Sequence, residues 1–137
     1  MNLFLDDIRV PNMSHNPTKG LGVDYMPSEK WTIARDYFDF IDIVNKHFDE
    51  IKLVSLDHDL ACIKDGREWT GKDAADYLVN YCLDNNKKFP SWYAHTDNTS
   101  GRQNIIGTIT SYLKSVEGYD LSNFRYYHNG ILNGNPV

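Results

Sequence analysis

Asp6 and Asp7, then Asp57 and Asp59 on either side of His58, then His95 at the head of HTDNTSGRQN are the residues of this chain best equipped for chemistry. Carboxylates drawn from separate segments repel one another when they meet, unless a cation or a proton lies between them. If Asp6, Asp7 and Asp57 converge, their oxygens suit Mg²⁺, with Mn²⁺ as the alternative, because such ions take one or two carboxylates together with a phosphate oxygen. The plainer reading of each aspartate alone is loop chemistry just past a strand.

Arg9 follows the first pair in DDIRVP, where a guanidinium either grips a phosphate bidentately or simply neutralises Asp7; Arg35 carries the same pair of readings. His58 and His95 are the candidates for proton transfer, since imidazole titrates near neutral pH. His15 and His47 read as loop and helix-surface residues, and His128 follows the last expected strand. After His95, the residues Thr96, Asn98, Ser100 and Gly101 lead into a helix. A helix N-terminus offers free N–H groups to an anion, although Ser100 could serve only as the cap.

These residues need elements to bring them together. Asn2 to Leu5 is a short apolar run that stops at Asp6, and LVSLDHDL is another that ends at Asp57. Trp31 to Ala34, Ile51 to Leu56, Trp92 to Ala94 and Phe124 to Tyr127 complete an expected set of five strands. Tyr37, Phe38, Ile41, Val44 and Phe48 recur at helical spacing, as do Ala74, Leu78, Tyr81 and Cys82 behind a T-x-x-D capping signal at Thr70. Ile105, Ile106, Ile109, Tyr112, Leu113 and Val116 mark a third helix, and a polar loop leads from the third strand to Thr70. Pro11, Pro17 and Pro27 with Gly20 and Gly22 rule out a continuous helix over 8–30. Strands alternating with helices predict an α/β domain in three layers on a mostly parallel five-stranded sheet. In such sheets ligands bind beyond the carboxyl ends of the strands, where Asp6, Asp57 and His95 all fall.

At 137 residues and 41% hydrophobic, the chain is long and apolar enough for one globular domain, spanning 1–137. A net charge of −5 excludes the broad basic surface of sequence-independent nucleic-acid binders, so a phosphorylated nucleotide or an RNA terminus is a better partner than an extended strand. Cys62 and Cys82 form no CxxC and supply neither a zinc cluster nor a disulfide framework. No signal-like segment and no apolar run of about 18 residues is present, which predicts a cytoplasmic location without membrane contact.

Taken in order, LFLDDIRVP, SLDHDL, the Thr70–Gly71 pair before a helix and HTDNTSGRQNI resemble the cyclic-phosphate processing receiver-like domain family, over roughly residues 2–128. The resemblance implies a receiver-like, flavodoxin-like fold, with Asp6 and Asp7 holding Mg²⁺ and Asp57 at the phospho-acceptor position. It further implies that Arg9, Asp59, His95, Asn98 and Arg102 complete a site for cyclic phosphate ends, in RNA repair or nucleotide signalling. Two departures from ordinary receivers stand out. A histidine followed by threonine occupies the strand-four hydroxyl position, and FRYYH lacks the lysine that senses phosphorylation. A Pro/Gly loop also stands in place of the first helix, and it could form a lid over the site.

The expected activity is therefore a metal-dependent phosphoesterase opening a cyclic phosphate. Asp57, His95 and Asp59 are its catalytic candidates, Asp6, Asp7 and Asp57 its metal ligands, and Arg9, Thr96, Asn98 and Arg102 its phosphate contacts. The alternative is a non-catalytic receiver-like module that binds a protein partner or sequesters a nucleotide.

Overall fold

The computed structural model describes residues 1–9, 31–96 and 98–118, together with the backbone of 126–127 and 130–131. Strands β1 (Asn2–Leu5), β2 (Trp31–Ala34), β3 (Leu53–Leu56) and β6 (Ser91–Ala94) form one parallel sheet in the order β2-β1-β3-β6. Between β3 and β6 the chain makes an antiparallel hairpin, β4 (Cys62–Lys64) and β5 (Arg67–Trp69), and then helix α2 (Gly71–Asn85). Helices α1 (Tyr37–His47) and α3 (Thr99–Tyr112) follow β2 and β6.

Side-chain alternation divides the sheet. Leu3, Leu5, Val54, Leu56, Trp92 and Ala94 enter one core with Phe40 and Val44 of α1, Leu78 and Cys82 of α2, and Ile105 and Ile109 of α3. All three described helices thus cover the same face. On the opposite face Phe4 and Tyr93 are buried with Trp31 and Ile33 packed against them. The expected third layer is therefore not seen among the described residues.

Each helix start has a chemical cause. Asp36 accepts the Asp39 amide at 2.8 Å ahead of α1, and Thr70 and Asp73 form the full capping box of α2. At α3 the cap is Asn98, whose Oδ1 accepts the Gly101 amide at 2.9 Å; the Ser100 hydroxyl donates to that same oxygen and is not the cap.

Two sequence expectations need correction. Residues 61–69 are a hairpin rather than a loop, turning on Asp65 (φ 55°) and Gly66 (φ 75°), the left-handed pair that a two-residue hairpin requires. Val116 is 54% exposed, because Leu113–Glu117 widens into a π turn and rotates the apolar stripe off the core. The expected fifth strand is described only in part: Tyr126–Tyr127 (β7) pairs antiparallel with Gly130–Ile131 (β8), and the parallel sheet holds four strands among the described residues. The Pro/Gly loop over 10–30 and its role as a lid lie outside the described residues, as do Phe124, Arg125, His15 and His128. No described helix is long and apolar enough to cross a membrane.

Candidate active site

From β1 the chain steps outward to β2, then back across β1 to β3, which makes the β1/β3 boundary the switch point of the sheet. Asp6 and Asp57 are the residues that follow these two strands, and His95 follows β6. The ladders carry on in phase past the strand ends: Asp6 N–H donates to Ala34 O, Asp57 N–H to Leu5 O and His95 N–H to Leu56 O. Because side chains alternate, all three belong to the Phe4, Ser55 and Tyr93 face, one step further along. Ligand atoms of Asp6, Asp57 and His95 accordingly lie within 4.8 Å of one another, and all three residues are buried.

Asp6 is held by a dense set of donors. Its Oδ1 accepts the amides of Ile8 at 3.0 Å and Arg9 at 2.8 Å, and its Oδ2 faces His95 Nε2 at 3.0 Å. Burial pushes this carboxyl up, but the hydrogen bond and charge of His95 with the two amides outweigh it and bring it down to about 2. Asp57 is different. Burial raises its carboxyl, His95 pulls it down, Asp6 pushes it up again, and the net shift is upward despite hydrogen bonds from Thr96 and the His58 amide. Asp7 is also raised, by burial and then by the charge of Asp6.

Asp6, Asp7, Arg9, Asp57, Asp59, Thr96 and Asn98 all line one cleft of about 210 Å³, and Ile8, at 76% exposed, forms the rest of its wall. Asp59 stands at the open side, where its carboxylate accepts Asn98 Nδ2 at 3.2 Å and faces His58 Nδ1 at 2.9 Å. Asp7 lines the cleft but is not part of the three-residue cluster, in which His95 takes its place. Arg102, in the first turn of α3, is not among the lining residues. His95 is fully buried beneath the cleft. Its Nδ1 meets Ser55 Oγ at 2.7 Å, and its ring stacks on Phe4 at 4.3 Å and 6°.

Two glycines let the walls close on these groups. At Gly71 a Cβ would overlap the backbone of Asp57, and the Gly71 amide donates to His58 O at 2.8 Å. At Gly101 a Cβ would overlap the His58 ring. Arg35 Nη1 donates to the carbonyls of Asp6 at 3.2 Å and Arg9 at 2.7 Å, so it clips the turn after β1. Sequence reading left Ser55 unnoticed inside LVSL. Its position two residues before Asp57 was the available signal, since that spacing puts both on one sheet face.

A parallel α/β sheet in this order, with carboxylates gathered at its switch point, defines a receiver-like domain. The family model of the cyclic-phosphate processing receiver domain matches residues 1–111, and the chain belongs to that family. No curated protein and no solved structure matches it.

Proposed function

We propose that this protein is a metal-dependent phosphoesterase that opens a cyclic phosphate, either a 2′,3′-cyclic RNA end or a small cyclic nucleotide. The observation that carries the reading is the Asp6, Asp57 and His95 cluster at the base of a cleft in a chain of this family. The donor set fits a divalent cation: two buried carboxylates repel in its absence, and the Asp57 carboxyl is raised, first by burial and then in part by the charge of Asp6. Asp6 and Asp57 would hold the ion. When bound, a dication supplies a Lewis acid for a phosphoryl oxygen.

The remaining roles fall to groups that reach the cleft. Arg9, Thr96 and Asn98, which line the cleft, would contact phosphate oxygens; Arg102 is not among the lining residues. Asp59, aimed by Asn98 and His58, is the exposed carboxylate positioned to take a proton from an attacking water. That water forms the new P–O bond, one bridging ester oxygen leaves and gains a proton, and a phosphomonoester results. His95, buried with both ring nitrogens engaged, fits the role of holding Asp6 better than that of meeting substrate. The cleft is smaller than the roughly 300–1,000 Å³ of sites that enclose a whole drug-sized ligand, which favours recognition of the phosphate and its adjoining sugar.

The test is a panel of 2′,3′-cyclic and 3′,5′-cyclic nucleotides and a cyclic-ended RNA incubated with Mn²⁺ or Mg²⁺, with products followed by phosphorus NMR. The reading expects a phosphomonoester from at least one substrate, lost in Asp57→Asn and reduced at least about 100-fold in Asp59→Asn. Metal and phosphate binding without any product would favour the non-catalytic binding module instead.

A further inference from the structure

Resting on the reading of this site as a metal centre, we infer that it is a mixed nitrogen and oxygen site, in which His95 Nε2 is a ligand and Ser55 is the positioning residue of that ligand. Such a site takes a first-row transition dication, Mn²⁺ or a later metal, in preference to Mg²⁺. Three observations carry this. The donor atoms within 4.8 Å of one another are two carboxylates and an imidazole nitrogen, not three carboxylates. The imidazole is oriented by contacts independent of the carboxylates: Ser55 Oγ lies 2.7 Å from Nδ1, and Phe4 lies flat against the ring at 4.3 Å. With Nδ1 committed to Ser55, the nitrogen directed at the carboxylates is Nε2, 3.0 Å from Asp6 Oδ2.

Ligand chemistry supplies the preference. Mg²⁺ is a hard ion that selects oxygen and dehydrates reluctantly, whereas imidazole nitrogen favours the first-row transition dications, Mn²⁺ least among them and the later metals most. Asp6 has little else to give. Two amides engage its Oδ1, which leaves Oδ2 for an ion; in the metal-free chain that oxygen accepts from His95 Nε2–H, and it is released when Nε2 itself turns ligand. Ser55 is suited to its role because a hydroxyl both donates and accepts. It can accept from a protonated Nδ1 while Nε2 binds an ion, or donate to Nδ1 while Nε2–H is given to Asp6. The ring therefore keeps its place in either state, as the outer partners of metal-bound histidines generally ensure.

The experiment is direct binding to the purified chain, with Mn²⁺ and Mg²⁺ titrated separately and electron spin-echo spectroscopy of bound Mn²⁺ reporting nitrogen coupling. The inference expects Mn²⁺ to bind at least about tenfold more tightly than Mg²⁺ and to show coupling to one imidazole nitrogen, which disappears in His95→Gln. In Ser55→Ala, Mn²⁺ affinity should fall about 10–100-fold without a matching loss of melting temperature. The wild-type spectrum and Ser55→Ala keep the test decisive even if His95→Gln fails to fold. Bound Mn²⁺ without nitrogen coupling, or equal affinity for Mg²⁺, overturns the inference while leaving an all-oxygen metal site in place. Failure of every dication to bind overturns both.

Discussion

His95 Nε2 lies 3.0 Å from Asp6 Oδ2, and neither side chain is exposed to solvent. The contact joins the ends of β1 and β6, which are not neighbours, over the end of β3 that lies between them. Truncating His95 to alanine leaves the Asp6 carboxylate buried without its partner and opens space beside Phe4. A loss of about 3–5 kcal/mol is expected for His95→Ala, and less for His95→Gln, which keeps a donor. Urea unfolding with metal removed measures both; equal stability of the two variants would show that packing rather than the polar contact sets the cost.

Asp6 and Asp57 share one cluster yet should respond to neutralisation with opposite signs. The Asp6 carboxyl is held near 2, below its unfolded range, so its contribution is fully present above about pH 4 and fades as pH falls toward 2. Asp6→Asn should destabilise the chain at neutral pH, with the difference narrowing across that acid window. The Asp57 carboxyl is raised, so its charged form costs stability at neutral pH, and that cost is relieved on acidification. Asp57→Asn should therefore stabilise the metal-free chain at pH 7, by on the order of 1 kcal/mol, and raise its melting temperature. Calorimetry of both variants at several pH values decides the point; a destabilised Asp57→Asn would show that its hydrogen bonds outweigh the repulsion.

The legible parts of this molecule are those that local pattern dictates. Short apolar runs ending in Asp6 and Asp57, the T-x-x-D cap and the isoleucine stripe of α3 each state their element directly, and α/β alternation then locates the site at one sheet edge. What was not legible depends on partners distant in sequence. Nothing near Ser55 reveals that it meets a histidine 40 residues away, or that Arg35 spends Nη1 on two carbonyls of the β1 turn instead of on phosphate. The burial of His95 is a further case, because its place after a strand is equally compatible with an open edge. The missed hairpin is otherwise, since Asp65–Gly66 is a local turn signal that polar composition masked.

Gly71 provides a sharp test of how the α2 terminus positions the site. Alanine ordinarily strengthens a helix by up to about 1 kcal/mol relative to glycine. Here the added Cβ would overlap Asp57 O, a backbone atom that cannot swing aside as a side chain can. The sign should reverse, with Gly71→Ala destabilising by about 1–3 kcal/mol or more and displacing Asp57. Gly107 of the same chain, whose Cβ would meet nothing within 4 Å, is the internal control. Gly107→Ala should stabilise, and denaturant titration of the pair separates close approach from helix propensity.

Metal binding should turn the cost of Asp57 into a gain. Without an ion, the Asp57 charge is held against burial and against Asp6, and removing it relaxes the fold. A dication between the carboxylates reverses that balance, and by mass action a ligand at 100 times its Kd stabilises the folded state by about 2.7 kcal/mol. The wild-type chain should thus melt higher with Mn²⁺ than with a chelator, while Asp57→Asn, more stable in chelator, should gain little from the metal. The two melting curves are then expected to exchange order between the two conditions. If Mn²⁺ raises both proteins equally, the ion binds elsewhere, and the repulsion at Asp57 needs another explanation.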